Sequence, residues 1–315
     1  MSDLQKSLDD YLKLRRTLGF KLAATEWCLR GFLGFLDSKG AKHITTELAV
    51  QWARRPANGE PSTWAQRLSR IRLFAAWYRA RDPRTEVPAE GLLAASIQRK
   101  PPFIFNEKQI AALVREAEKL PSCRGMRART ASTMFGLIAV AGLRISEAVG
   151  LDRADVDLGE QMLTIRDTKF GKTRLVPLSK STIAALRRYA KQRDQTFPGA
   201  ATAAFFISER GRRVTDWAAR YNFALVSRAA GLRGPVKGYR HGHGPRVHDL
   251  RHSFAARTMV GWYRAGVDVE RELPKLSAYL GHTHVNDTYW YIEAVPELLQ
   301  LATERVTNQR AGGRR

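Results

Sequence analysis

Apolar residues recur at helical spacing through the first hundred residues, which predicts a series of short helices. The first is expected to end at Gly19, the second to begin at Thr25, and the third to begin at Thr45 or Thr46. A fourth is predicted over 62–81, with an apolar stripe on one side and several arginines on the others. The N-terminal region is therefore expected to be helical.

The pattern changes beyond this region. Residues 83–104 contain four prolines and little periodicity, which indicates a linker. Asn106 and Gln109 then form a capping-box pattern that opens a new helical run. Alternation at 161–166 and 173–178 predicts two paired strands. Helical patterns cover 107–119, 127–141, 181–193, 215–230, 248–264, 270–280 and 296–306.

These elements define the expected fold class, which is mainly α with a small antiparallel β-sheet. We place a helical domain at 1–90, a linker at 91–104, within the proline-containing stretch 83–104, and a second domain at 105–315. A chain of 315 residues is long enough for two domains of ordinary size.

The net charge of the chain indicates the chemical class of its partner. The chain has 53 Lys and Arg against 30 Asp and Glu, a formal net charge of +23. Residues 1–104 carry 18 and 10 of these, so 105–315 carry 35 and 20, and the excess is not a basic tail. A solvated basic surface is the plain alternative, but an excess of this size on both halves favours a nucleic-acid partner.

The number of cysteines and the hydropathy pattern indicate the cellular compartment of the protein. Cys28 and Cys123 are too few for a disulfide framework or a cysteine-based zinc site, which fits a reducing cytoplasm. No run of eighteen apolar residues and no signal-peptide pattern is present, so we expect a cytoplasmic, nucleoid-associated protein. Cys28 lies in an apolar helical pattern and is expected in a core.

The segment 247–252 (VHDLRH) is the most informative stretch. If it is helical, His248, Arg251 and His252 share one face, which is expected to present positive charge to an anion. From 233 to 264 the chain has seven Lys and Arg against a single acid, Asp249. A phosphate-containing partner is expected at this face.

Four further candidate groups lie on separate elements: Arg144 in AGLRISE, Lys169 between the two predicted strands, His282 in LGH, and Tyr291 nine residues later. Each alone has an ordinary explanation, such as a surface ion pair between Arg144 and Glu147. Their order changes this interpretation. The boxes AGLRISEA, a lysine before RLVPL, HDLRHSFA, LGH and the tyrosine, taken together, resemble the tyrosine recombinase (phage integrase) family over 105–306.

The helical, basic N-terminal region resembles that family's core-binding domain. The resemblance implies that two rigid, permanently protonated guanidiniums, Arg144 and Arg251, neutralise a phosphodiester during cleavage. It implies that His282 hydrogen-bonds the same phosphate. Glu147 and His252 are expected to support the site rather than to react.

The resemblance also implies a nucleophile and its proton partners. Tyr291 is expected to attack the phosphate and form a 3′-phosphotyrosyl link, which conserves the energy of the broken bond. Lys169 is expected to protonate the departing 5′ oxygen, and His248 to accept or position the tyrosine proton. On this mechanism neither ATP, metal nor any other cofactor is needed.

Two of these assignments have rivals nearby. Lys172 lies in the same turn as Lys169, and alignment through RLVPL favours Lys169. Tyr289 is two residues from Tyr291 and points roughly 200° away if the segment is helical, so only one of them faces the site. The nine-residue spacing selects Tyr291, and Tyr289 is expected to pack.

A zinc site is the other interpretation of the histidines. His241, His243, His248 and His252 have HxH and HxxxH spacings. Asp249 is not the glutamate of an HExxH motif, and no cysteine is near, so zinc is disfavoured. The Gly- and His-containing segment 234–246 departs from a compact family loop, and its role stays open; tracking of a DNA backbone is one interpretation.

The expected partner is a double-stranded recombination site, held by four protomers that exchange strands through a Holliday junction, with accessory proteins as further candidates. Helix 296–306 is expected to dock on a neighbouring protomer, although covering its own core is the commoner role of a terminal helix. Two other classes stay open, a type IB-like topoisomerase and a non-catalytic DNA-binding regulator. The expected DNA contacts are Arg67, Arg70, Arg72, Lys172 and Arg246.

Overall fold

The computed structural model describes residues 3–55, 59–93, 101–166, 173–199, 202–234, 244–281, 288–289, 291 and 295–312, with backbone alone from 305 onward. The chain divides into two compact units, Met1–Lys100 and Pro101–Arg315. Helices predominate, and one three-stranded antiparallel sheet accompanies them, which confirms the expected fold class. Within the described ranges, none of the helices is both long and apolar enough to cross a membrane.

The first unit is built from helices α1 (Asp3–Thr17), α2 (Ala23–Ser38), α3 (Thr46–Ala53) and α4 (Pro61–Tyr78). Their apolar stripes meet in one core, in which Cys28 is fully buried as expected. Thr45 caps α3 by accepting the backbone N–H of Leu48. The predicted start at Thr25 is wrong, because α2 begins earlier, after Leu22 in a left-handed conformation.

The second unit contains α5 (Glu107–Glu118), α6 (Met126–Ala141), α7 (Ile145–Gly150), α8 (Lys180–Thr196), α9 (Asp216–Ala229), α10 (Val247–Arg264), α11 (Val269–Leu280) and α12 (Pro296–Gly312). The Asn106–Gln109 capping box is present, with each side chain accepting the other residue's backbone N–H at 2.9 and 3.0 Å. Helix α6 packs against α5, α8 and α10, which places it at the centre of this unit.

The sheet consists of β1 (Val156–Asp157), β2 (Met162–Ile165) and β3 (Arg174–Pro177) in sequential antiparallel order. The predicted pair is β2 and β3, with Leu163 opposite Val176, and both of these side chains are buried. Strand β1 was not predicted, because two residues are too few to show alternation.

Two helices of the second unit end at glycines with left-handed backbone, Gly142 after α6 and Gly281 after α11. At Gly142 φ is +62°, and a Cβ atom would lie 2.5 Å from Cδ1 of Phe254 on α10. The close approach of α6 and α10 therefore requires a residue with no side chain at this position.

We expect Gly142→Ala to lower the free energy of unfolding by about 2–4 kcal/mol, since left-handed strain and overpacking each cost on the order of 1–3 kcal/mol. Chemical denaturation of the full chain measures this effect. Gly266→Ala is the matched control, because Gly266 has φ of +69° but nothing within 4 Å of its Cβ position. Equal destabilisation by the two variants would contradict the packing constraint at Gly142.

Candidate active site

Helix α10 begins at a fixed position because Asp249 caps it. The buried carboxylate of Asp249 accepts the backbone N–H of Arg246 at 2.7 Å, which satisfies a free donor at the positive end of the helix. The side chain of Arg246, a predicted DNA contact, is largely exposed. Because this cap fixes the first residue of α10, it also fixes the positions of His248, Arg251 and His252 on the first two turns of the helix.

Arg251 is 1% exposed, although its guanidinium keeps its charge. It donates hydrogen bonds to the carbonyl of Gly142 at 2.8 Å and to that of Leu280 at 2.6 Å. Both carbonyls lie at helix C-termini, where partial negative charge stabilises a cation. Burial and the nearby charge of Arg144 lower the pKa of Arg251 to about 10, so the side chain is still protonated at neutral pH. The predicted cationic face of α10 is thus largely buried, with Arg251 1% and His252 8% exposed.

The C-terminal end of α11 holds Arg144 beside Arg251. Its Nη2 donates to the carbonyl of Gly281 at 2.7 Å, and Arg251 donates to the preceding carbonyl, that of Leu280. Two guanidiniums that come from positions 107 residues apart in the sequence (251 minus 144) therefore bind consecutive carbonyls at the C-terminus of α11.

Glu147 is the anion that lets these cations approach one another. Its carboxylate accepts the backbone N–H and the Nη1 of Arg144, each at 2.8 Å, and two hydrogen bonds from Arg174 at 2.9 and 2.7 Å. Burial raises the pKa of Glu147, but the hydrogen bonds and charges of Arg174, Arg144 and Arg251 outweigh it and hold the pKa below its usual value. The ion pair expected between Arg144 and Glu147 is thus part of a larger cluster.

Sequence reasoning missed Arg174, although a signal for it exists. Alternation along β3 places Arg174 on the side of Val176, which is fully buried, whereas Leu175 points outward. An arginine on the buried face of a strand needs an anionic partner. Three guanidiniums and one carboxylate leave this cluster with two net positive charges (3 − 1), which favours the binding of an anion.

His248 lies in a cationic environment. Burial lowers its pKa to about 4, and the positive charges of Arg251, Arg246, Arg144 and Arg220 contribute. The imidazole is therefore neutral at pH 7 when no anion is bound. Its ring contacts that of His252 edge to face, with centroids 4.5 Å apart.

We expect the ring of His248 to titrate near pH 4 in the DNA-free protein, and at higher pH once a phosphate diester neutralises its arginine neighbours. Because this pKa is lower in the folded than in the unfolded state, the folded state loses stability as pH falls from about 6.5 towards 4. Histidine-detected NMR checks the prediction, with His248→Gln assigning the signal. A DNA-free midpoint at or above 6.5 would contradict it.

Tyr291 reaches the same cluster from the C-terminal part of the chain. It is 2% exposed, and its hydroxyl lies 3.0 Å from Nδ1 of His252. A phenolate at this position would raise the pKa of Arg251, because the two side chains lie near one another. Tyr289 is 43% exposed, so the prediction that it packs is wrong, whereas the prediction that it and Tyr291 face different directions agrees with the structure.

Lys169, Lys172 and His282 lie outside the described residues, and so do His241 and His243 of the 234–246 segment. Strands β2 and β3 flank Lys169 and Lys172 in the sequence, and Gly281 directly precedes His282. In the described ranges, no three His, Cys, Asp or Glu side chains converge as a metal site would require. The roles assigned to Lys169, Lys172 and His282 stay predictions.

The predicted DNA contacts Arg67, Arg70 and Arg72 lie on α4 of the first unit and are half-buried. The guanidinium of Arg67 lies 3.8 Å from the centroid of the Trp52 ring, and Arg72 pairs with Glu90 at 2.8 Å. Arg70 lies close enough to the buried thiol of Cys28 to affect its pKa, which burial raises. Each therefore has a contact within its own unit, and DNA contact by these side chains stays a prediction.

The chemistry that this arrangement allows is attack on a bound phosphodiester. Two adjacent guanidiniums can hold two non-bridging oxygens, and a phenol with a neighbouring imidazole can supply the nucleophile. The structure brings together Arg144, Arg251, His248, His252 and Tyr291, and Glu147 pairs with both arginines.

Comparisons with known proteins show which family this chain is similar to. The model of the phage integrase family matches residues 104–297. An integrase/recombinase of Sinorhizobium fredii, y4rB, is 45% identical over 97% of this chain and 98% of its own length. The tyrosine recombinase XerC of Chromobacterium violaceum is 29% identical over 81% of this chain and 78% of its own length. The solved structure of the Tn1549 transposon integrase in complex with transposon right end DNA has a TM-score of 0.65 at 16% identity, covering 96% of this chain and 99% of that one.

Proposed function

This chain belongs to the phage integrase family, and we propose that it is a site-specific recombinase that cleaves and rejoins duplex DNA through a covalent tyrosine intermediate. The observation that carries the proposal is the pair Arg144 and Arg251, fixed on consecutive carbonyls beside Tyr291. Relatives of this family are integrases and recombinases, and several solved neighbours hold DNA.

In the proposed reaction the Tyr291 oxygen attacks the phosphorus, the bond to the 5′ oxygen breaks, and a 3′-phosphotyrosyl link forms. Arg144 and Arg251 neutralise the charge that develops on the non-bridging oxygens, and Glu147 with Arg174 holds Arg144 in place. Lys169 protonates the departing oxygen, and His282 hydrogen-bonds the phosphate. The link conserves the energy of the broken bond, so rejoining requires no ATP and no metal.

The experiment that tests this function starts with selection of bound duplexes from a randomised DNA library. The selected site is then placed in a nicked substrate whose cleaved fragment diffuses away, so that a covalent adduct accumulates. We expect an SDS-stable, protease-sensitive adduct that forms equally well in EDTA. Binding without adduct would favour the non-catalytic regulator, and supercoil relaxation without site preference would favour the type IB-like topoisomerase.

We further propose a tetramer on two paired sites, joined through α12 and resolved through a Holliday junction. Leu298 of α12 is fully buried against its own chain, where the helix packs on α10, whereas Leu299 is half-exposed. The start of α12 thus covers its own core, and Leu299 is left to contact a neighbouring protomer.

Leu299→Ser is therefore expected to reduce the assembly of two DNA sites at least severalfold while single-site binding and thermal stability stay unchanged. Native gel shifts with one or two labelled duplexes, combined with melting curves, measure the three quantities. Leu298→Ser is the matched comparison, and it is expected to lower stability because it removes a buried apolar side chain. Normal pairing by a stably folded Leu299→Ser protein would exclude Leu299 from the interface.

A further inference from the structure

His252 on α10 lies within hydrogen-bond distance of the hydroxyl of Tyr291, the proposed nucleophile. The hydroxyl of Tyr291 lies 3.0 Å from Nδ1 of His252, and the two ring centroids are 5.3 Å apart. His252 is 8% exposed and Tyr291 is 2% exposed, so bulk water has little access to this hydrogen bond. With the ring proton on Nε2, Nδ1 presents a lone pair that accepts the phenolic O–H.

His248 and His252 differ in what they face, although they lie one turn apart on α10. Around His248 the charged groups are Arg251, Arg246, Arg144 and Arg220, which together attract a phosphate to that side of the helix. His252 instead bonds to Tyr291, which belongs to an apolar cluster with Met259 and Leu298. The ring of His248 is therefore suited to donate a hydrogen bond to the phosphate, and that of His252 to accept from the phenol.

We propose that His252 is a catalytic residue, the general base that takes the proton of Tyr291 during DNA cleavage. As the bond from Oη to phosphorus forms, the phenolic proton moves to Nδ1 of His252. The bond from phosphorus to the 5′ oxygen breaks, and that oxygen receives its proton from the general acid of the proposed mechanism, Lys169. Rejoining reverses both transfers, so atoms and charges balance over a full cycle. This inference rests on the proposed function and makes His252 more than a support.

Phenol chemistry explains why such a base is needed. An ordinary tyrosine has a pKa near 10, so only about one phenol in a thousand is ionised at pH 7. A base within hydrogen-bond reach removes the proton as the new bond forms, and such catalysis typically contributes about 10²–10⁴-fold in rate. His252 is in reach in the DNA-free protein, because its Nδ1 already lies 3.0 Å from the hydroxyl.

The decisive variant is His252→Asn, because the Asn amide places an oxygen near the position of Nδ1 and keeps a hydrogen bond to the phenol but is not a base. We expect it to bind the selected site as the wild type does and to form adduct about 10²-fold or more slowly. Replacing Tyr291 with a fluorinated tyrosine of lower pKa is expected to restore at least a tenth of the lost rate in His252→Asn. The same replacement in the wild type is expected to change the rate little. A purely structural role for His252 predicts no such rescue.

Three results would overturn the assignment. In His252→Asn, adduct could form at a rate within about threefold of the wild-type rate, or faster than in the wild type. It could also form slowly, with no recovery of the rate when Tyr291 is replaced by fluorotyrosine. A faster variant would mean that His252 holds the phenol back rather than activating it. If His252→Asn does not melt cooperatively, His252→Gln is measured in the same way. The absence of adduct in the wild type itself would count against the proposed function, which separates that failure from failure of the base.

Discussion

Replacing Tyr291 with phenylalanine is expected to abolish the covalent protein–DNA adduct and to leave DNA binding and folding intact. The ring of Tyr291 packs in a cluster with Val295 and Leu298, and phenylalanine preserves that packing. What it removes is the hydroxyl oxygen, the atom that lies 3.0 Å from Nδ1 of His252. Because that oxygen is the proposed nucleophile, no alternative atom on the same side chain can replace it. SDS-stable adduct on the nicked substrate, with gel shifts for binding, measures the effect.

Tyr289→Phe is the matched control for this prediction. Tyr289 is 43% exposed and lies two residues away, where a helical segment turns it about 200° from Tyr291. Its variant is expected to form adduct at the wild-type rate. Adduct that persists in Tyr291→Phe would refute the nucleophile, and loss in both variants together with loss of folding would indicate damage to the structure instead.

Local patterns in the sequence were sufficient to predict most elements near the site. Asn106 and Gln109 predicted the start of α5, because capping depends on residues within one helical turn, and periodicity predicted that α6 ends at 141. The pair β2 and β3 followed from alternation. Family resemblance then supplied the roles of Arg144, Arg251 and Tyr291, which no local pattern contains.

The environment of these residues was not predictable in the same way. The face of α10 carrying Arg251 and His252 is polar in sequence, and nothing in that pattern indicates that α6, α11 and α12 pack around this helix. Burial is possible because carbonyls at the ends of α6 and α11 accept hydrogen bonds from Arg251. Those acceptors are backbone atoms, which have no sequence signature.

The contact between His252 and Tyr291 illustrates the same limit. The two residues are 39 positions apart, and either can be an ordinary core residue when considered alone. Only the packing of the C-terminal segment on α10 reveals that a ring nitrogen faces the hydroxyl. A residue that sequence reasoning placed in support thus becomes the candidate base.

Arg251→Met is expected to reduce adduct formation by about 10²–10³-fold or more, the usual effect of removing one preorganised donor to a developing anion. Methionine fills much of the same volume, and Glu147 keeps Arg144 and Arg174 as partners, so no buried charge is left unpaired. The two carbonyls that Arg251 binds, those of Gly142 and Leu280, lose a donor, so a modest fall in melting temperature is also expected. Adduct rate at saturating protein, measured beside the melting temperature, separates chemistry from folding.

Arg251→Lys shows whether charge alone is sufficient. A single ammonium is a compact point charge and cannot hold two carbonyls in fixed geometry while also presenting paired donors to a phosphate. We therefore expect Arg251→Lys to retain binding but to remain at least tenfold slower than the wild type. Arg264→Lys on the last turn of the same helix is the control, because Arg264 is exposed and a lysine can still pair with Glu297. If Arg251→Lys cleaves as fast as Arg264→Lys, positive charge is sufficient, and the forked geometry fixed by the ends of α6 and α11 is not what the reaction requires.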